Sequence, residues 1–154
     1  MPKGDRAITS ILTGAAGVHF VVSELCFRGL IALPTIRNTP GIDVIVATPD
    51  GRRHANLQVK TSKNKAGFWI VGKRCEEFKG KNNFYVFVRY LEEEKKFEAF
   101  LVPADRVAEE IRKKAQKLRA RGGEPLYCWY LPKDDQEVEK LKQDWFEFGQ
   151  NHFR

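Results

Sequence analysis

The segment from Gly41 to Thr61, GIDVIVATPDGRRHANLQVKT, most constrains how this chain can fold. Two apolar, β-branched runs flank a Pro-Asp-Gly turn, which is the pattern of a β-hairpin. Side chains alternate between the two faces of a strand, so Ile42, Val44 and Val46 should share one face. If Val59 lies on that face too, three polar residues converge on the other face: Asp43, Gln58 and Lys60. The hairpin therefore predicts a sheet with one apolar face and a polar cluster on the other.

Helical and strand patterns surround the hairpin. An apolar stripe predicts a first helix from about Ser10 to Arg28, ended by Gly29, and formed around Val18, Val21, Val22 and Leu25. Pro34 favours an edge position for the strand that follows. Aromatic and β-branched runs predict strands over residues 30–37, 68–72, 84–91, 96–103 and 126–132. Two further helices are predicted over residues 104–120, with Val107, Ile111 and Leu118 inward, and 134–148, with Val138, Leu141, Trp145 and Phe148 inward.

This order of elements predicts an α/β fold with a mixed β-sheet of four to five strands flanked by helices. The 154 residues suit a single domain over 1–154, with a core at about 10–120 and residues 121–154 as an elaboration. Three scattered cysteines favour a reducing, cytoplasmic setting. Thr13 and His19 interrupt the apolar N-terminal run, so we expect neither a signal peptide nor a membrane span.

The polar cluster of the hairpin has the chemistry of a metal site. The Asp43 carboxylate, the Gln58 amide oxygen and the Val59 carbonyl are hard oxygen donors, which Mg²⁺ prefers. An ammonium group beside such a metal, here Lys60, can orient or deprotonate a water and offset charge on a phosphate. The alternative is a set of ordinary polar residues on a solvated strand face.

The hairpin resembles the metal-binding hairpin of the PD-(D/E)XK nuclease superfamily, in the branch where Gln replaces the second acid. Asp43 and Gln58 are 58 − 43 = 15 residues apart, and one residue separates Gln58 from Lys60. The runs RGLIALPTIRNTPGIDV and FEAFLVPADRVAEEI are also similar to this superfamily, so that the resemblance covers about Thr13 to Leu118. It implies a restriction-endonuclease-like core and cleavage of DNA phosphodiester bonds with Mg²⁺, or with Mn²⁺ in its place. It also implies catalytic roles for Asp43, Gln58 and Lys60, with Asp43, Gln58 and Val59 holding the metal.

One residue departs from the superfamily pattern. Its first helix usually begins with Gly-Glu, whereas this chain has Gly17 and Val18. Glu24 lies about 120° around the helix from Val18 and is better placed to pair with Arg28. The departure leaves an alternative function, namely a catalytically weakened nuclease-fold protein that binds DNA or a protein partner.

Basic residues suggest how a polyanion would be held. The net charge is 27 − 20 = +7, which favours nucleic acid over other partners, although a basic soluble protein is the alternative. Residues near the hairpin that could contact phosphates are Arg37, Asn38, Lys63, Lys65, Lys73 and Arg74. The apolar stripe of the last predicted helix, which contains Trp145 (the Trp145 stripe), is predicted to be part of the core or the face of a homodimer. Duplex, junction, flap and single-stranded DNA all stay open as substrates.

Overall fold

The computed structural model describes residues 3–36, 40–63 and 65–150, with side chains from residue 9 onward. Three helices are present in these ranges: α1 (Lys3–Phe27), α2 (Ala104–Ala120) and α3 (Asp135–Phe146). The strands are β1 (Ile31–Pro34), β2 (Val44–Ala47), β3 (His54–Ser62), β4 (Phe68–Ile70), β5 (Asn83–Leu91), β6 (Lys96–Pro103) and β7 (Cys128–Tyr130). A short 3₁₀ helix, Lys73–Glu76, precedes β5.

The main sheet has five strands in the order β1-β2-β3-β5-β6. All neighbours are antiparallel except β3 and β5, which run parallel and are connected through β4 and the 3₁₀ helix. The two remaining strands, β4 and β7, form a separate antiparallel pair. The predicted mixed α/β fold, with a five-stranded mixed sheet flanked by helices, is therefore confirmed. Pro34 lies in the edge strand β1, where a missing N–H does not interrupt the ladder.

Each face of the sheet packs against a different core. On the first face, Val21 and Leu25 of α1 and Trp145 of α3 meet side chains that include Val44 and Leu57. On the second face, a core around Phe87, Phe100, Ile111 and Trp129 lies beneath α2 and β7. Residues after 120 thus contribute buried aromatic side chains to both cores.

Helix α1 approaches the sheet most closely at Gly17. A Cβ atom on Gly17 would lie 1.8 Å from the Thr61 hydroxyl oxygen, which places the helix backbone directly on β3. The helix begins at Lys3, earlier than the predicted Ser10, because the polar residues before Ser10 can form helix although they add nothing to an apolar stripe. It ends as predicted, with Gly29 at a φ of 77°.

We expected no segment to be long and apolar enough to span a bilayer, and by these two criteria the expectation is wrong. The stretch Thr9–Phe27 has a mean hydropathy of 1.5 over 19 residues, sufficient to cross a membrane on those criteria. Inside a continuous helix, Thr13 and His19 interrupt the run less than the sequence suggested, since neither adds a formal charge. Signal sequences and mostly buried core helices satisfy the same criteria. In this helix 17% of the apolar window is buried, and Val21 and Leu25 lie against the sheet.

Three other expectations change in detail. Ile42 packs on the second core rather than beside Val44, because regular strand geometry begins only at Val44 and alternation does not extend to Ile42. Leu118 is 37% exposed, since the buried stripe of α2 ends one turn earlier at Ala115. Of the two interpretations of the Trp145 stripe, the structure shows the first: Trp145 is 5% exposed and belongs to the first core.

Candidate active site

Asp43 is fixed at the point where β2 begins, beside the central strand β3. Its carboxylate accepts a 2.7 Å hydrogen bond from the backbone N–H of Val59. Its own N–H donates to the Leu57 carbonyl at 2.9 Å, and its carbonyl accepts from Thr35 N–H at 3.0 Å. The side chain therefore takes the place of a backbone acceptor at the end of the β2–β3 ladder. Its second carboxylate oxygen has no hydrogen bond from the described residues.

The strand register brings Gln58 and Lys60 to the same region. Val44 pairs with Leu57 at the end of the ladder, and Asp43, which directly precedes Val44, is bonded through its carboxylate to Val59, the residue between Gln58 and Lys60. Lys60 lies two residues further along β3, on the same face as Gln58. Both side chains are half-buried, and in the described part of the chain neither the amide nor the ammonium group has a hydrogen-bond partner. The structure thus brings these three predicted residues together.

Burial dominates the electrostatics of this cluster. It raises the pKa of the Asp43 carboxyl, an effect that the Val59 N–H and the charge of Lys60 oppose. Burial also lowers the pKa of the Lys60 ammonium group, against the opposing effects of Asp43 and Cys75. A cation placed between the polar groups would offset the cost of burying the Asp43 charge. Lys60 also borders an open cavity of about 260 Å³, which gives solvent access to this end of β3.

The Val59 carbonyl completes the predicted donor set. In a strand the N–H and C=O of one residue point to the same side. The Val59 N–H points to Asp43, so its carbonyl lies along the same edge. Together, Asp43, Gln58 and Val59 offer one carboxylate and two neutral oxygens, which suit Mg²⁺ if waters complete the coordination. In the described ranges, no group of three or more His, Cys, Asp or Glu side chains is placed to hold a metal.

The sequence pattern missed two residues that complete this region. Tyr85 on β5 pairs in register with Gln58, and Cys75 of the 3₁₀ helix lies within electrostatic range of both Lys60 and Tyr85. Both are buried, with exposures of 0% for Tyr85 and 1% for Cys75. The sequence alone signals neither position, because the parallel pairing of β3 with β5 joins segments about 27 residues apart.

The predicted phosphate contacts fall into three groups. Lys73 and Arg74 are exposed on the 3₁₀ helix next to Cys75, and Arg74 lines a cavity of about 400 Å³ shared with Gly41. Lys63 and Lys65 are exposed but already paired, at 3.0 Å with Glu92 and at 2.6 Å with Glu93. Arg37 and Asn38 lie outside the described residues. The structure thus leaves Lys73 and Arg74 as the better placed cations beside the site.

Position 18 does not supply a second acid. Val18 packs against the first core, and Glu24 pairs with Arg28 at 3.1 Å, as expected from their spacing. Phe20 stacks on Phe97 of β6 with ring centroids 4.7 Å apart. Val18 and Phe20 are two residues apart, which corresponds to about 200° of helix rotation. Val18 therefore lies on the flank of α1 opposite Phe20, on the side of β2.

No protein-family model and no curated protein matches this chain. Among solved structures it is similar to a bacterial homing endonuclease, I-Ssp6803I, with 21% sequence identity and a TM-score of 0.43. The similarity covers 62% of this chain and 66% of that protein, just under two thirds of its length.

Proposed function

We propose that this protein is a Mg²⁺-dependent endonuclease that hydrolyses DNA phosphodiester bonds. The observation that carries the proposal is the arrangement at the β2–β3 edge. There the Asp43 carboxylate is held by the Val59 N–H, the Gln58 amide has no partner among the described residues, and Lys60 is half-buried. This arrangement supports the roles that the hairpin sequence suggested.

Each residue has a defined part in this chemistry. Asp43, Gln58 and the Val59 carbonyl would hold Mg²⁺, and Mn²⁺ in its place. When bound, the metal would supply Lewis acidity and lower the pKa of a water that it holds. The Val59 N–H keeps one oxygen of Asp43 fixed, which leaves the other free for a ligand. Lys73 and Arg74 extend positive charge beside the site and would hold the phosphates that flank the cut.

Lys60 is suited to handling a proton. Burial lowers the pKa of its ammonium group, so the neutral amine forms at a lower pH than in an exposed lysine. The neutral amine can accept a proton from the attacking water, and the ammonium form can offset the charge that develops on the phosphate. Its position on the open cavity allows either form to meet a substrate.

The test is cleavage of labelled linear, supercoiled and branched DNA with Mg²⁺, with Mn²⁺ and with a chelator. Asp43→Asn should abolish cleavage while it preserves an acceptor for the Val59 N–H and removes a charge that burial disfavours. Lys60→Met should slow cleavage by roughly two to four orders of magnitude. Asp50→Asn, at the exposed turn of the same hairpin, is the matched control and should cut normally. Wild-type cleavage by the Asp43 and Lys60 variants would refute the proposed roles.

A second function, DNA or protein binding with little cleavage, is favoured by one observation. Val18 is apolar and packed in the core, which leaves Asp43 as the single carboxylate of the donor set. If this function holds, DNA should bind with an affinity that falls linearly with log salt, and Lys73→Ala should reduce that slope by about one. Binding of this kind without metal-dependent cleavage would favour it over the endonuclease.

A further inference from the structure

Packing alone does not explain why residue 85 carries a hydroxyl group, that is, why it is tyrosine and not phenylalanine. The ring is well packed: it stacks on Phe87 with centroids 5.4 Å apart and meets Phe78 edge-on at the same distance. The hydroxyl oxygen, however, is fully buried and has no hydrogen-bond partner among the described residues. An unpaired buried hydroxyl is destabilising, and phenylalanine at this position would avoid that cost. A tyrosine at this position therefore points to a partner that is bound only when the site is loaded.

The surroundings of Tyr85 indicate what that partner is. The residue pairs in register with Gln58, so the two side chains lie next to each other on the second face of the sheet. Burial first, and then the neighbouring Cys75 and Asp43, raise the pKa of the Tyr85 hydroxyl. The group thus stays protonated at neutral pH and is available as a donor. Beside it lie an amide and a carboxylate oxygen that also lack partners in the described chain.

We propose that Tyr85 is a positioning residue of the metal site: its hydroxyl donates a hydrogen bond to the amide oxygen of the neighbouring Gln58 when that residue and Asp43 hold Mg²⁺. This inference rests on the proposed function, because it concerns the same site. Groups that support metal ligands from outside the coordination shell typically affect metal affinity by about 10–100-fold when they are removed. Tyr85 would act in this way on Gln58, from a rigid position in the core.

The test is a thermal melt of the wild type and of Tyr85→Phe over a titration of Mg²⁺. Without metal, Tyr85→Phe should melt at the same temperature as the wild type or higher, because it loses an unpaired polar atom. The Mg²⁺ concentration that gives half of the stabilisation should rise about tenfold. Tyr90→Phe, five residues along the same strand and on the other face, is the matched control and should titrate like the wild type.

The outcomes separate this inference from the proposed function. A wild-type response to Mg²⁺ that Asp43→Asn abolishes would support the metal site independently of Tyr85. If Tyr85→Phe then showed the wild-type Mg²⁺ midpoint, the positioning role would be overturned and the endonuclease proposal would stand. A lower melting temperature for metal-free Tyr85→Phe would also overturn the role, since it would show that the hydroxyl is already paired. Absence of any Mg²⁺ response in the wild type would overturn both proposals.

Discussion

Replacing Gly17 with alanine is expected to disrupt the contact between α1 and the central strand. The added Cβ would lie 1.8 Å from the Thr61 hydroxyl oxygen and 2.9 Å from both its Cβ and its Cγ2. Ordinary contacts between such atoms are about 3.5–4.0 Å. Because all three side-chain atoms of Thr61 are too close, a rotation of that side chain cannot relieve the overlap. The helix has to move away from β3.

The expected magnitude follows from two opposing effects. Alanine stabilises the middle of a helix by about 0.5–1 kcal/mol relative to glycine. Overpacking a well-packed contact costs about 1–3 kcal/mol, and occasionally more. An overlap with backbone-proximal atoms lies at the severe end of that range. We therefore expect Gly17→Ala to lower the free energy of unfolding by about 2 kcal/mol net, which corresponds to a fall in Tm of about 4–8 °C for a chain of this size.

Gly14 on the same helix provides a matched control. No heavy atom lies within 4 Å of a Cβ built at Gly14, so Gly14→Ala should gain the helix propensity without any clash. The two variants should shift the free energy of unfolding in opposite directions when measured by urea denaturation. Thr61→Ala removes the hydroxyl and the methyl group and should partly restore the stability of Gly17→Ala, which appears as a coupling energy in a double-mutant cycle.

The effect should reach the candidate site, because Thr61 directly follows Lys60 on β3. A helix displaced from Thr61 disturbs the end of β3, so DNA cleavage by Gly17→Ala should fall together with its stability. If Gly17→Ala were as stable as Gly14→Ala, the close approach of α1 to β3 and the reasoning built on it would be refuted.

Two further predictions concern an added and an existing carboxylate. Val18→Glu should melt below the wild type by the same amount with and without Mg²⁺, because Val18 packs against the first core and the candidate site lies on the second face. Recovery of the melting temperature with Mg²⁺ would instead show that position 18 can supply a second anionic donor. Burial would raise the pKa of Glu98, but hydrogen bonds from Arg89 and Lys142 outweigh it and hold the pKa below the ordinary value of 4.5. A lowered pKa in the folded state stabilises the protein above the unfolded pKa, and this stabilisation is lost as the pH falls through the folded pKa. Glu98→Gln should therefore be less stable than the wild type at pH 7, with the difference closing as the pH falls from 4.5 through the lowered pKa of the folded state, as followed by urea denaturation. The exposed Glu93→Gln is the control, and a Glu98 effect independent of pH would contradict the assignment.

The local patterns of the sequence predicted most of the elements correctly. Helix α2 has the predicted bounds of residues 104–120, because its apolar stripe, its preceding proline and its terminal Gly122-Gly123 are all encoded within about 20 residues. The β2–β3 hairpin was equally predictable, since its turn and its alternating pattern fix the register. Asp43 directly precedes β2 and bonds to Val59, between Gln58 and Lys60, so three members of the candidate site could be named from one segment.

Departures occurred where neighbours distant in sequence decide the outcome. Alternation placed Ile42 beside Val44, but strand geometry begins only at Val44 and the chain before it turns Ile42 to the other core. Lys63 and Lys65 stay predicted phosphate contacts, and the tertiary structure adds exposed ion pairs between them and Glu92 and Glu93, which follow β5. Ion pairs of this kind depend on which strands become neighbours, which no local pattern specifies.

By itself, the sequence determined the alternation of strands and helices, the hairpin register and the joint placement of Asp43, Gln58 and Lys60, because these depend on chain geometry over a few residues. Only the tertiary structure decided that β5 joins β3 in parallel and brings Tyr85 beside Gln58. It also decided that the Val59 N–H fixes the Asp43 carboxylate. The physical reason is that burial and hydrogen bonding across strands depend on the packing of both cores, and this packing shifts the pKa values of Asp43 and Lys60.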